Sequence, residues 1–169
     1  MLIRCAFVLL ALAACGSHKP GGMSGPSMNN KMSGPALAPA VSPVVSSDIL
    51  AREPVANRAQ VKHILIGWKD LADAYGGNID PRAEARDKAA AEAQVSTLMG
   101  QLKAGGNFDM LKREHSEDRG SAQSDTPIDV APDAGLVIEF RQLALRLNPG
   151  EWGVCQTDYG FHIIKRVGS

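Results

Sequence analysis

The chain has 169 residues, of which 44% are hydrophobic and 21% charged, and its 18 basic side chains are balanced by 18 acidic ones. That balance, with no basic patch along the chain, argues against a nucleic-acid partner. The length suits one domain with a single core, and no internal repeat divides it.

Residues 1–4 form a short basic start, and residues 6–14 are a continuous apolar run. That run is too short to span a bilayer but long enough for the hydrophobic region of a signal peptide. It ends in Leu12-Ala13-Ala14-Cys15-Gly16, which resembles a bacterial lipobox. The resemblance implies a signal peptide over residues 1–14, cleavage before Cys15 and acylation of its thiol. The alternative is an ordinary small-residue cleavage site beside an incidental cysteine. On the lipid reading Cys5 leaves with the signal peptide and Cys15 carries lipid. Cys155 then has no partner for a disulfide and is expected to pack as a small buried hydrophobe. No second apolar segment is long enough to cross a membrane, so attachment is expected through acyl chains alone. Gly16 stands where aspartate would signal inner-membrane retention, which points to the outer membrane of a Gram-negative envelope.

Residues 15–57 are poor in order-promoting side chains and are punctuated by Gly21-Gly22, Gly25-Pro26, Gly34-Pro35, Pro39 and Pro43. Such a stretch buries too little apolar surface to offset its ordering entropy and reads as a tether. A short docked element over residues 44–52 is the alternative. The folded domain is expected over residues 58–169.

Within it, Val61-Lys62-His63-Ile64-Leu65-Ile66 is rich in β-formers and reads as a strand. Residues 67–80 read as a loop. Asp80-Pro81 opens a helix, with aspartate as cap and proline in the first turn. The alanine-rich continuation carries Ala91, Val95, Leu98 and Leu102 on one stripe, and Gly105-Gly106 ends it. Asn107 can cap a second helix through Phe108, Met110 and Leu111. Residues 116–133 are polar and turn-rich, with a short strand around Ile128 and Val130. A third helix is predicted over residues 136–147, with Leu136, Phe140, Leu143 and Leu147 as its stripe and Asn148-Pro149-Gly150 as its stop. Two strands close the chain, over residues 152–155 and 161–167, joined by a tight turn at Thr157-Asp158-Tyr159-Gly160. Strands interspersed with helices in this order predict an α+β domain, a small sheet covered by helices.

The opening histidine strand, Gly105-Gly106-Asn107-Phe108-Asp109-Met110-Leu111, Ser116-Glu117-Asp118-Arg119-Gly120-Ser121-Ala122, Glu139-Phe140, Leu147-Asn148-Pro149-Gly150-Glu151 and Thr157-Asp158-Tyr159-Gly160-Phe161-His162-Ile163-Ile164 occur in the order of the parvulin family of peptidyl-prolyl cis/trans isomerases. The resemblance covers residues 60–168. It implies an FKBP-like superfold, a small, mostly antiparallel sheet covered by three to four helices. It also implies residue roles. His63 and His162 are paired beneath the active site, and Thr157 joins their hydrogen-bond network. Asp118 takes the place that holds cysteine or aspartate in the family. Ile128, Leu136 and Phe140 wall a proline pocket, with Tyr159 at its rim. Ser116 and Ser121 read as turn residues.

The implied partners are unfolded or proline-containing polypeptides, with no cofactor and no metal. Nothing in the sequence assigns an oligomeric state. The loop over residues 67–80 has Lys69 against Asp70, Asp73 and Asp80, which argues against selection of a phosphorylated residue before proline. One segment departs from the family. Where its members usually have Gly-Gly-Asp-Leu-Gly, this chain has Asp125-Thr126-Pro127-Ile128-Asp129. Without glycine the backbone there cannot take the usual family shape unchanged. Two alternatives to an isomerase therefore stay open: a peptide-binding chaperone that keeps the groove without turnover, and a structural envelope lipoprotein.

Overall fold

The computed structural model describes residues 41–169. The expected signal peptide and the lipidation site Cys15 lie outside them. Among the described residues a four-stranded antiparallel sheet runs in the order β2-β1-β4-β3. Its strands are β1 (Ala59–Ile66), β2 (Ile128–Val130), β3 (Trp152–Thr157) and β4 (Gly160–Gly168). The helices are α1 (Ser47–Leu50), α2 (Pro81–Glu84), α3 (Lys88–Lys103), α4 (Phe108–His115) and α5 (Ile138–Ala144), with a 3-10 segment at Lys69–Tyr75.

Strand alternation divides the core in two. Ile64, Ile66, Val154, Phe161 and Ile163 face α3 and α4, where they pack with Ala91, Val95, Leu98 and Phe108. Val61, Ile164 and Cys155 face the other way, against Phe140 and Leu143 of α5 and Ile49 of α1. The predicted stripe of α3 is its buried face. Gly153 belongs to this second face because a side chain there would come within 3.0 Å of Ile49 Cδ1 and 3.2 Å of Leu143 Cδ1.

Several boundaries differ from expectation. The helix expected to run on from Asp80 is two helices. Asp80 caps the short α2, the chain breaks at residues 85–87, and Asp87 caps α3 by accepting from Ala90 N at 2.8 Å. Asp87 is a second cap chosen by the break, which high helix propensity on both sides conceals. Helix α5 begins at Ile138, so Leu136 lies before it, in a turn closed by Leu136 N donating to Ala134 O at 2.8 Å. In α4, Met110 points to solvent at 65% exposure while Lys112 is buried.

Part of the expected tether is docked. Ser46 N donates to Val154 O at 2.9 Å and Val154 N donates to Ser46 Oγ at 3.0 Å, pairing the segment with edge strand β3. Val44 enters the α3-side core and Ile49 the α5-side core, so residues 44–49 wrap the sheet edge. Two buried aliphatic side chains and two edge hydrogen bonds outweigh the low average hydropathy on which the tether reading rested.

Candidate active site

β1 and β4 place the two imidazoles. His63 pairs with Ile164 and His162 pairs with Leu65, so the histidines are diagonal neighbours on one face of the sheet. It is the face that α5 covers at its other end. β3 adds Thr157, opposite Gly160 at the hairpin. Gly160 has φ 132°, and a side chain there would lie 2.5 Å from Ile66 O, so only glycine lets the hairpin close against β1.

The side chains form one continuous network. His63 Nδ1 lies 3.1 Å from His162 Nδ1, with the rings nearly parallel at 15°. His63 Nε2 lies 2.9 Å from Asp118 Oδ2, and His162 Nε2 lies 2.9 Å from Thr157 Oγ1. Asp118 Oδ1 also accepts from Gly120 N at 3.0 Å and Oδ2 from the Ser121 hydroxyl at 2.6 Å. Thr157 Oγ1 accepts from Tyr159 N at 3.0 Å. The hydrogen bond from His63, reinforced by those from Ser121 and Gly120, holds the Asp118 carboxyl well below the usual carboxylate range. Burial, with His63 adding to it, pushes His162 down to about 3, so this imidazole is neutral at physiological pH.

The segment carrying Asp118 is fixed from below. Ser116 Oγ accepts from Leu65 N at 3.1 Å, and Glu117 N donates to Leu65 O at 2.9 Å. The Glu117 carboxylate accepts from Gly67 N at 2.7 Å and pairs with Arg86 at 2.5 Å, while burial raises its pKa. Arg82, extending from α2, donates to Ser116 O at 2.9 Å. Tyr75 donates its hydroxyl proton to Tyr159 O at 2.5 Å, which ties the 3-10 segment to the hairpin.

Two hollows open over this network. One, of about 300 Å³, is bounded by Ile128, Leu136, Val137 and Phe140, with His63, His162 and Asp118 beneath and Tyr159 at the side. The Phe140 ring meets both imidazoles edge-on, with centroids at 5.3 and 5.4 Å. The other, of about 370 Å³, lies across His63, Asp118, Tyr159 and His162 and is bounded by Tyr75, Asn78, Asp80, Glu117 and Arg119.

The structure thus gathers His63, His162, Thr157, Asp118, Ile128, Leu136, Phe140 and Tyr159 around one place. Ile128 pairs with Val61 and reaches the hollow although no glycine surrounds it. Ser121 corrects the sequence reading. It is no mere turn residue, since its hydroxyl touches both Asp118 Oδ2 and His63 Nε2, the latter at 2.9 Å. Glu117, Tyr75 and Arg86 were also missed. Their contacts span 31 to 84 residues, and no local pattern marks them. No cluster of metal-binding side chains occurs among the described residues.

A family model, the PPIC-type PPIASE domain, matches residues 47–168. The chain belongs to that family. The matched span reaches into the docked segment ahead of β1. The PPIC-type domain is 31% identical over 110 residues to the foldase protein PrsA of Geobacillus kaustophilus, covering 64% of this chain and 39% of that one. It is 35% identical over 132 residues to the chaperone SurA of Cupriavidus pinatubonensis, covering 78% of this chain and 22% of that one. The chain therefore spans well under half the length of either relative. Among solved structures, the domain matches the peptidyl-prolyl isomerase ESS1 from Candida albicans with TM-score 0.53 at 17% identity, over 66% of this chain and 63% of that one. It matches TbPIN1 with TM-score 0.54 at 16% identity, over 68% of this chain and all of that one. These likenesses establish the parvulin-like α+β fold.

Proposed function

We propose that this domain is a peptidyl-prolyl cis/trans isomerase that assists folding of proline-containing polypeptides in the bacterial envelope. The observation that carries the reading is the apolar hollow of about 300 Å³ between Ile128, Leu136 and Phe140, set directly on the paired imidazoles. It suits a prolyl ring.

The reaction makes and breaks no covalent bond. Rotation about the X-Pro bond crosses a barrier of about 18–20 kcal/mol set by amide resonance, and uncatalysed exchange takes about 10–100 s. Ile128, Leu136 and Phe140 exclude the water that favours the planar, more dipolar amide. Asp118, held ionised, stands beside the hollow. A carboxylate near the substrate carbonyl disfavours the planar amide, whose oxygen carries the greater negative charge, relative to the twisted one. His63, His162 and Thr157 hold that carboxylate and floor the pocket without exchanging a proton with substrate. Tyr159 borders the side. Each tenfold acceleration asks for about 1.4 kcal/mol of such preference. Arg82 and Arg86 are engaged with Asp80, Glu117 and main-chain carbonyls, which supports a client without a phosphate before proline.

Line-shape or exchange spectroscopy on several X-Pro peptides with residues 41–169 tests the reading. Faster cis/trans exchange is expected for most of them. Unchanged rates without binding defeat it, and binding without acceleration assigns the domain to peptide capture alone. For the whole chain we propose removal of residues 1–14, acylation of Cys15 and residence at the outer membrane, supported by the Leu12-Ala13-Ala14-Cys15-Gly16 motif. Mass spectrometry of the mature N-terminus decides this, and an unmodified Cys15 would end it.

A further inference from the structure

Lys112 is among the largest fully buried side chains of the described residues, at 1% exposure, in a group otherwise made of apolar residues. It shares the inward stripe of α4 with Phe108, one turn earlier, where an apolar residue would normally sit. Its ammonium contacts no carboxylate. Nζ donates instead to two main-chain carbonyls, Ser121 O at 2.8 Å and Ser124 O. Burial lowers its pKa, and the nearby charges of Asp109 and Asp125 oppose that shift. A cation taken out of water is retained only where fixed dipoles replace its hydration. Here those dipoles belong to one loop.

That loop carries Asp118 and Ser121, both of which bond His63. It then enters the Asp125-Thr126-Pro127-Ile128-Asp129 stretch that lacks glycine. Its start is anchored through Ser116 and Glu117, but past Ser121 its other polar ties to the domain are the Arg113–Asp125 pair, 45% and 71% exposed, and an exposed contact from Gln123 to Arg113 O. Solvent-exposed pairs of this kind hold geometry weakly. For this outer half of the loop the buried ammonium is the firm tie.

We infer that Lys112 is a positioning residue for the active site: by pinning the Ser121 and Ser124 carbonyls it sets the Ser121 hydroxyl against Asp118 Oδ2 and His63 Nε2. The kinetic consequence rests on the isomerase reading, whereas the effect on the histidine network does not.

The test compares Lys112→Met, Lys112→Arg and Leu98→Ala in the full chain, each studied well below its melting temperature. Leu98 is buried on α3 and, being aliphatic, makes none of the hydrogen bonds or ion pairs that hold the loop, so its variant controls for lost stability. The readouts are the ring nitrogen shifts of His63 and His162 by NMR, and kcat/KM on an X-Pro peptide. Lys112→Met is expected to shift or broaden the His63 Nε2 resonance and to lower kcat/KM by about ten- to a hundredfold. Lys112→Arg restores most of both, and Leu98→Ala changes neither. A Lys112→Met protein with unaltered ring shifts and kcat/KM within about twofold of the parent overturns the inference. Where that variant does not fold, Lys112→Gln is measured the same way, and unaltered ring shifts in it overturn the inference too. A parent chain that does not accelerate exchange removes the isomerase reading and leaves the ring shifts to decide the role of Lys112.

Discussion

Proton positions along Thr157, His162, His63 and Asp118 follow from one constraint, that every buried donor needs an acceptor. Asp118, ionised, only accepts, so His63 carries its hydrogen on Nε2. His63 Nδ1 then accepts from His162 Nδ1–H, and His162 Nε2 accepts from the Thr157 hydroxyl. All the bonds point toward the carboxylate. The pH dependence has a definite sign. His162 has its folded-state pKa lowered to about 3, below the ordinary 6.5. Between those values the unfolded chain binds a proton that the folded one refuses, so stability falls as pH drops through that window. Asp118, with its pKa also lowered, contributes stability above its ordinary value of 3.8 and loses it as pH falls further. The unfolding free energy from urea titrations is expected to drop steadily from pH 6.5 to pH 3, by a few kcal/mol in all, and His162→Gln to flatten that slope. A wild-type midpoint constant over the window would contradict the buried neutral imidazole. Leu136 offers a separation of activity from stability. It is only half-buried, so Leu136→Ala is expected to lower the unfolding free energy by about 1 kcal/mol in a urea titration. In the same variant kcat/KM should drop by about tenfold. Equal kcat/KM in the variant and parent would place the prolyl ring elsewhere.

The element whose role changes most is the segment ahead of β1. Edge strand β3 would otherwise offer an unpaired ladder, and such edges invite association. Residues 44–49 cover part of it at Val154 and enter both cores, closing two layers with one short strap. Ile49→Ala is expected to cost about 2–5 kcal/mol in a denaturation titration, as for a core aliphatic. Starting the chain at residue 58 should be worse still, with aggregation through β3 visible by light scattering. A chain from residue 58 as stable and monomeric as one from residue 41 would return the strap to the tether. Farther along, Asp87 and Asn107 start α3 and α4 by accepting from Ala90 N and Met110 N at 2.8 and 3.0 Å, so the two helices covering one face have independent caps.

At the scale of the whole molecule, the site exists because β1 and β4, far apart in sequence, lie side by side at the centre of the sheet, while α5 covers only part of the face they share. The uncovered part is the hollow. The covered part buries Cys155 at 1% exposure and pushes its thiol up to about 12. In a chain of residues 41–169, where Cys155 is the one cysteine, a thiol reagent is expected to label it only as fast as the domain opens. Rapid labelling at neutral pH would mean that α5 does not seal this face.

The periodicity of residues 91–102, the β-rich run at 61–66, the glycine-bearing turn at 157–160 and the ordered motifs between them were enough to give the fold class from the sequence, and the family resemblance named the positions that line the hollow. Each is a local pattern or a string of them, and the elements they name depend mainly on near neighbours. What only tertiary structure decided was partnership. Ser121 shares its hydroxyl with Asp118 and His63, Lys112 points inward while Met110 points out, and Val44 and Ile49 leave the tether to enter two cores. Composition hides all three because the energy of a buried polar or apolar group depends on what surrounds it, and those surroundings are supplied by residues distant along the chain.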